Sequence, residues 1–158
     1  MLQDGKLADK PVFLHNRGQM MKRSFLNLIT VDGRMCRLAE FGFFADSPSF
    51  EGNGIIFRHG DKYRRFNLDT GALSDATPHN LTQNHTSPNG KYTLRLDFAS
   101  ELTDGLGYVH MILRDNEASC ETVLTRFMGC ADSIGDVPFS SDSERIAFFG
   151  YPAEEFGE

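Results

Sequence analysis

The sequence has no tryptophan, three cysteines, and fewer basic than acidic residues. Its cysteines, Cys36, Cys120 and Cys130, follow no metal-binding or redox spacing, which predicts reduced thiols, with one disulfide and one free thiol as the alternative. The formal charge of −6 argues against a nucleic-acid partner, because such binding requires basic side chains that neutralise phosphates.

Long apolar runs are also missing. No segment approaches the length of a transmembrane helix, and residues 1–10 lack the apolar core of a signal peptide. We therefore expect a cytoplasmic protein without a membrane partner, or a periplasmic or secreted one if a leader has been removed. The densest local positive group lies on a strand and turn, a position typical of a solvated face: Arg58, Lys62, Arg64 and Arg65.

What the sequence does contain is a recurring turn. Residues 86–96, TSPNGKYTLRL, place a polar turn before an alternating run in which Tyr92, Leu94 and Leu96 share one face. Weaker copies occur at residues 137–148 and 47–57. A polar turn that repeatedly precedes a β-run is typical of a repeat protein.

The strand pattern divides one domain, residues 1–158, into approximate units at 10–41, 46–77, 84–128 and 135–151, the last incomplete. The first unit includes residues 12–15 and 24–30 as strands, with a hairpin turn at Asp32-Gly33. The third contains a longer polar insertion at 99–107. Antiparallel strands with a period near 40 residues predict an all-β fold, with four-stranded blades forming a partial β-propeller of about three to four blades.

These turns resemble those of the TolB-type, WD-like propeller repeat, in which a serine, proline, aspartate, glycine and lysine turn opens each blade. The copy at 86–96 is the best match, and the copy at 137–148 has Ser141 and Ser143 where the family has proline and glycine. The family includes protein-binding propellers, propeller domains of peptidases and a metal-dependent oligogalacturonate lyase. The resemblance therefore implies a fold and leaves the function open.

The number of blades raises the question of whether the propeller closes into a ring. Closed propellers have about four to eight blades, whereas this chain supplies two complete units and two partial ones. We expect either self-association of several chains into a ring or a longer propeller of which this is one part. The alternative is a small closed arrangement in which the C-terminal strands pair with the N-terminal unit.

Candidate binding residues lie just before each repeated turn, where the innermost strand of a blade lines the channel. They are Asp46, Gln83, His85 and Asp136, with His79 on the same loop as His85. The resemblance to the lyase implies a divalent metal at such a place, with His85 and Gln83 as ligands, although a convincing site needs more convergent ligands. No other cofactor is indicated.

The remaining histidines occupy positions typical of structural residues. His15 and His59 occupy equivalent strand ends, and His110 alternates with Tyr108 and Ile112 on a strand. No nucleophile elbow, phosphate loop or zinc-protease motif is present. We therefore expect a non-catalytic binding or scaffold module for a protein or carbohydrate ligand. The alternative is a metal-dependent carbohydrate-active enzyme resembling oligogalacturonate lyase.

Overall fold

The computed structural model describes residues 23–77, 85–103, 106–130 and 137–151. This part of the chain holds no helix that could cross a bilayer. It is built from strands alone, in the following order: β1 (Arg23–Thr30), β2 (Met35–Gly42), β3 (Ala45–Glu51), β4 (Gly54–His59), β5 (Lys62–Asn67), β6 (Leu73–Ala76), β7 (Tyr92–Thr103), β8 (Leu106–Asp115), β9 (Cys120–Cys130) and β10 (Arg145–Gly150).

The strands form three antiparallel sheets, which we call blades. Blade 1 has the order β10-β1-β2, blade 2 the order β3-β4-β5-β6, and blade 3 the order β7-β8-β9. Isolated bridges at Phe139 and Thr86 add a short first segment to blades 1 and 3. The described residues thus form an all-β partial propeller of three blades, and the predicted four full strands occur in blade 2.

Blade 1 contains strands from both ends of the described chain. Strand β10 pairs with β1 from Phe25 opposite Gly150 to Thr30 opposite Arg145. The C-terminal strands therefore complete the N-terminal sheet, which is the pairing that the sequence analysis kept as an alternative. The predicted strand at residues 12–15 lies outside the described residues.

Two local predictions are wrong. The supposed insertion at 99–107 extends a hairpin instead, because β7 continues to Thr103 and β8 begins at Leu106. The copy of the turn at 47–57 was also misplaced, since Ser47 and Pro48 lie inside β3, and the chain turns at Gly52 and Asn53. Proline is tolerated there because β3 is an edge strand with a register shift between Asp46 and Ser49.

The turn at 86–96 is held by side chains that bond to the backbone. The Ser87 hydroxyl accepts a hydrogen bond from the Tyr92 amide at 3.0 Å and donates to Asn89 Oδ1 at 2.8 Å. Asn89 Oδ1 also accepts from the Lys91 amide at 2.9 Å. Gly90 has a φ of 76°, which glycine adopts at little cost. The predicted structural role of this turn is confirmed.

The turn at 140–145 repeats the same bonds with other residues. The Ser140 hydroxyl accepts from the Arg145 amide at 3.1 Å, and Asp142 Oδ1 accepts from the Glu144 amide at 3.0 Å. Ser143, with a φ of 65°, stands where the first turn has glycine. Its hydroxyl accepts from the Asn89 amide at 3.0 Å, so the two turns are hydrogen-bonded to each other.

Two apolar clusters join the blades. Blade 1 packs its two faces against different neighbours, because residues of β1 and β10 alternate between them. The cluster shared with blade 2 contains Leu26, Phe41, Ala45, Ile55, Phe57, Phe66, Ala147 and Phe149. The cluster shared with blade 3 contains Ile29, Leu94, Met111, Leu113, Val137, Phe139, Ile146 and Phe148. Blade 1 is therefore the centre of the molecule.

Candidate functional site

The candidates named from sequence are only partly within the described residues. His79, Gln83 and Asp136 lie outside them. His85 is half-buried in the first segment of blade 3, where its carbonyl accepts a hydrogen bond from the Leu94 amide at 2.7 Å. The structure thus gives His85 a backbone role in the turn.

Asp46 lies in β3, the first strand of blade 2, and no turn follows it at Ser47. Its side chain is 7% exposed and both carboxylate oxygens accept from Arg58, at 2.9 Å and 2.6 Å. An aspartate engaged in this way is a structural ion-pair partner and not an open ligand position. No group of three or more His, Cys, Asp or Glu side chains is close enough to hold a metal ion in the described residues.

The histidines and cysteines that were not candidate binding residues also lie in surroundings typical of structural residues. His59 Nε2 lies 2.7 Å from the Gly42 carbonyl oxygen, and its ring packs 5.5 Å from that of Phe41. His110 is half-buried on β8. Cys36 and Cys120 are exposed free thiols, as predicted for reduced cysteines.

The described residues form a cleft between blades 1 and 3, which we call the interblade cleft. Its volume is about 580 Å³, within the range of small-ligand sites. The lining residues come from β1, β2, β9 and β10 with Tyr151: Arg23, Phe25, Asn27, Met35, Arg37, Arg126, Phe127, Met128, Phe148, Gly150 and Tyr151.

The two interblade contacts differ in their aromatic packing. Between blades 1 and 2, phenylalanine rings fill the contact, with the ring of Phe41 5.0 Å from that of Phe57 and 6.4 Å from that of Phe149. Between blades 1 and 3, the apolar cluster is continued by the ring of Phe127 4.6 Å from that of Phe148. Both of these side chains line the cleft.

Arginine side chains dominate the polar lining. The Arg37 guanidinium carbon lies 3.6 Å from the centre of the Phe25 ring, and that of Arg126 lies 3.8 Å from the centre of the Tyr108 ring. Neither guanidinium forms an ion pair in the part of the chain that the structure describes. Arg23 differs, since it contacts Glu40 at 3.3 Å.

These arginines can receive an anion. A guanidinium stacked on a ring keeps its N–H donors in its own plane, where they can bind both oxygens of a carboxylate. Stacking also reduces the freedom that the side chain would lose on binding, so Arg37 and Arg126 are preorganised donors.

Sequence reasoning did not find this group. Arg23, Arg37 and Arg126 belong to three strands, and only the tertiary fold brings them to one cleft. The dense basic group near Arg58 is different, because Arg58 pairs with Asp46, and Arg65 Nε lies 3.1 Å from Glu51. Arg58 is exposed, as predicted for a solvated face, whereas Arg65 is half-buried.

The fold is thus an all-β partial propeller, and the arginine-lined interblade cleft lies between two of its blades. No protein-family model matches the chain, and no curated protein matches it. Among solved structures, it is similar to a protein assigned as TolB from Agrobacterium tumefaciens, with 9% sequence identity and a TM-score of 0.48. The match covers 82% of this chain and 98% of the other. The fold assignment itself rests on the hydrogen-bonded blades described above.

Proposed function

We propose that this protein is a non-catalytic binding module of the TolB-like propeller type, and that the interblade cleft holds its ligand, a protein or a carbohydrate. The observation that supports the proposal is the pair of stacked arginines, Arg37 and Arg126, in a concave site beside an apolar wall. Ligand sites are typically concave and present a few convergent polar groups beside apolar side chains.

The position of the cleft is also suited to binding. Its walls are β1, β2 and β10 of blade 1 and β9 of blade 3, and these two blades share an apolar cluster. Because β1, β9 and β10 are fixed by antiparallel pairing, the lining side chains stand on rigid elements. Sites on rigid strands hold their geometry better than sites on loops.

The test compares three immobilised proteins: the wild type, the double variant R37E/R126E and the control R114E. Arg114 is exposed on β8 and does not line the cleft. Each protein is incubated with extract of the source organism and with an array of neutral and acidic carbohydrates. We expect a discrete ligand to be retained by the wild type and by R114E, and to be lost from the double variant.

Two further measurements complete the experiment. Circular dichroism and thermal unfolding establish that the double variant is folded. Mass spectrometry of the retained ligand establishes whether it is recovered unchanged, as binding without catalysis requires. Equal retention by all three proteins would overturn the proposed site, and a chemically altered ligand would favour the carbohydrate-active enzyme instead.

A further inference from the structure

We infer that the ligand of the interblade cleft is an acidic peptide segment of a partner protein, with its carboxylates bound by Arg37 and Arg126. This inference rests on the proposed function, because it names the ligand class of the same site. It is carried by the charge of the lining, the geometry of the arginines and the chemistry of the apolar wall.

The charge of the lining is opposite to that of the chain. The sequence has 22 acidic and 16 basic residues, yet the described lining contains three arginines and no aspartate or glutamate. A local positive site on an acidic protein attracts an acidic segment, while the net charge disfavours polyanions such as nucleic acid. Charge complementarity therefore selects a short anionic segment.

The stacked geometry indicates carboxylates as the bound groups. The guanidinium carbons of Arg37 and Arg126 lie 3.6 Å and 3.8 Å from the centres of the Phe25 and Tyr108 rings, distances typical of a guanidinium packed on a ring face. The free edges of Arg37 and Arg126 then present paired N–H donors that match the two oxygens of a carboxylate. Two such arginines can receive two acidic side chains of one segment.

The rest of the lining favours a peptide over a sugar. Sugar recognition requires acceptors for several hydroxyl groups, and the described lining has no carboxylate and one side-chain amide, Asn27, to supply them. Met35 and Met128 lie in the lining beside aromatic rings, and methionine adapts to apolar side chains of varied shape. An acidic peptide with an aromatic or aliphatic residue beside its carboxylates fits this combination.

The inference is tested with three fluorescein-labelled peptides that share one scaffold. The first has the sequence SEEFEG, the second replaces every glutamate with glutamine, and the third replaces every glutamate with phosphoserine. Fluorescence anisotropy measures their affinities for the wild type and for R37Q, R126Q and R114Q. The glutamine substitutions remove the charge while keeping a long polar side chain, and R114Q removes an exposed charge outside the cleft.

We expect the glutamate peptide to bind about tenfold or more tightly than the glutamine peptide, because charge-assisted hydrogen bonds to arginine are lost in the latter. R37Q and R126Q should each weaken that binding about tenfold, and R114Q should change it less than about twofold. Raising the salt concentration should weaken binding of the glutamate peptide and leave the glutamine peptide unaffected.

Several results would overturn the inference. Equal affinities for the glutamate and glutamine peptides would show that the cleft does not select carboxylates. Tenfold tighter binding of the phosphoserine peptide would assign the arginines to phosphate. If no peptide binds while the wild type still retains a ligand that R37E/R126E loses, the ligand class is wrong and the proposed binding site stands.

Discussion

At the residue scale, the two repeated turns solve one conformational problem with different residues. Each turn contains a backbone amide that donates to the hydroxyl of the turn's first serine. The residue two positions before that amide needs a positive φ. Gly90 supplies it in one turn and Ser143 in the other, with φ values of 76° and 65°. Serine is strained there, and its hydrogen bond to the Asn89 amide offsets part of the strain.

Replacing Gly90 by alanine tests this conformational requirement. A Cβ at Gly90 meets no atom within 4 Å, so any cost comes from the backbone and not from a clash. We expect Gly90→Ala to lower the free energy of unfolding by about 1 kcal/mol, measured by urea denaturation. Gly42 is the matched control, because its Cβ position is also open but its φ is not positive. Equal effects of Gly90→Ala and Gly42→Ala would contradict the conformational explanation.

Asp142 makes one of the two turns sensitive to acid. The hydroxyl of Ser140 donates to its carboxylate at 2.5 Å, and this bond, followed by the bond from the Glu144 amide, lowers the pKa of Asp142 below its usual value. Because the pKa of Asp142 is lower in the folded state than in the unfolded state, its ionised carboxylate stabilises the fold at pH values above the unfolded-state pKa. That contribution is lost as the pH falls through the folded-state pKa.

Asn89 occupies the position of Asp142 in the other turn and makes equivalent bonds without a charge. We therefore expect Asp142→Asn to keep the fold and to cost less than about 1 kcal/mol at pH 7, since the carboxylate is exposed and screened. Urea denaturation at several pH values should show the difference from wild type shrinking as the pH falls below about 4. Asp61→Asn is the control at an exposed aspartate. A difference that is constant with pH would be inconsistent with this role.

At the element scale, Gly54 allows Arg65 to lie across the start of β4. A Cβ at Gly54 would stand 2.4 Å from the Arg65 guanidinium carbon. Arg65 there bonds to the Glu51 carboxylate at 3.1 Å and to Asn53 Oδ1 at 2.9 Å. The glycine, the arginine and the hairpin between β3 and β4 form one unit.

A double-mutant cycle measures this coupling. We expect Gly54→Ala to cost about 1–3 kcal/mol of unfolding free energy, because the added methyl group displaces the arginine. In the Arg65→Ala background, the same substitution should cost less than about 0.5 kcal/mol, since the clash is gone. Chemical denaturation of the four proteins gives the coupling energy, and strict additivity of the two substitutions would rule out the proposed contact.

Strands were the most predictable elements because their signals are local. Alternation and the turn at Asp32-Gly33 predicted a strand at 24–30, which differs by one residue from the observed β1. The hairpin of β7 and β8 was missed at its tip because the polar residues at 99–107 resemble a loop in sequence while pairing across two long strands. Hydrogen bonds between strand backbones form at polar residues as well as at apolar ones.

The candidate site was far less predictable. Asp46 was a candidate because a turn was expected at residues 47–57, whereas it lies within β3, and its partner Arg58 comes beside it only once β3 and β4 are paired. The interblade cleft depends on how β9 lies against β1 and β10, which no local pattern encodes. A site assembled from separate strands requires the tertiary fold.

At the scale of the whole molecule, the faces of blades 2 and 3 that point away from blade 1 carry ion pairs beside the apolar residues Ile56 and Ile112. The face of blade 2 away from its apolar cluster carries the pairs Arg58–Asp46 and Arg65–Glu51. On blade 3 the corresponding face carries Arg95, which contacts Asp97 at 3.1 Å and Glu121 at 2.8 Å. Those hydrogen bonds, first to Asp97, raise the pKa of Arg95.

These faces resemble the polar caps that end other repeat proteins. Terminal repeats need a polar outer face for solubility, whereas faces that stack on a further repeat are apolar, as in the two clusters around blade 1. The sequence-based expectation of self-association into a ring stays a prediction. The capped faces lead to the opposing expectation of a monomer.

Light scattering coupled to gel filtration decides between the two expectations. We expect the wild type to have the mass of one 17.7 kDa chain across a wide range of protein concentration, because joining the outer faces would bury ion pairs at a desolvation cost. The variant E51L/R65L makes the outer face of blade 2 apolar and should shift toward dimers or larger species, which shows that the method would detect such a contact. A wild-type mass of two or more chains would contradict the capping argument and support a ring completed by several copies.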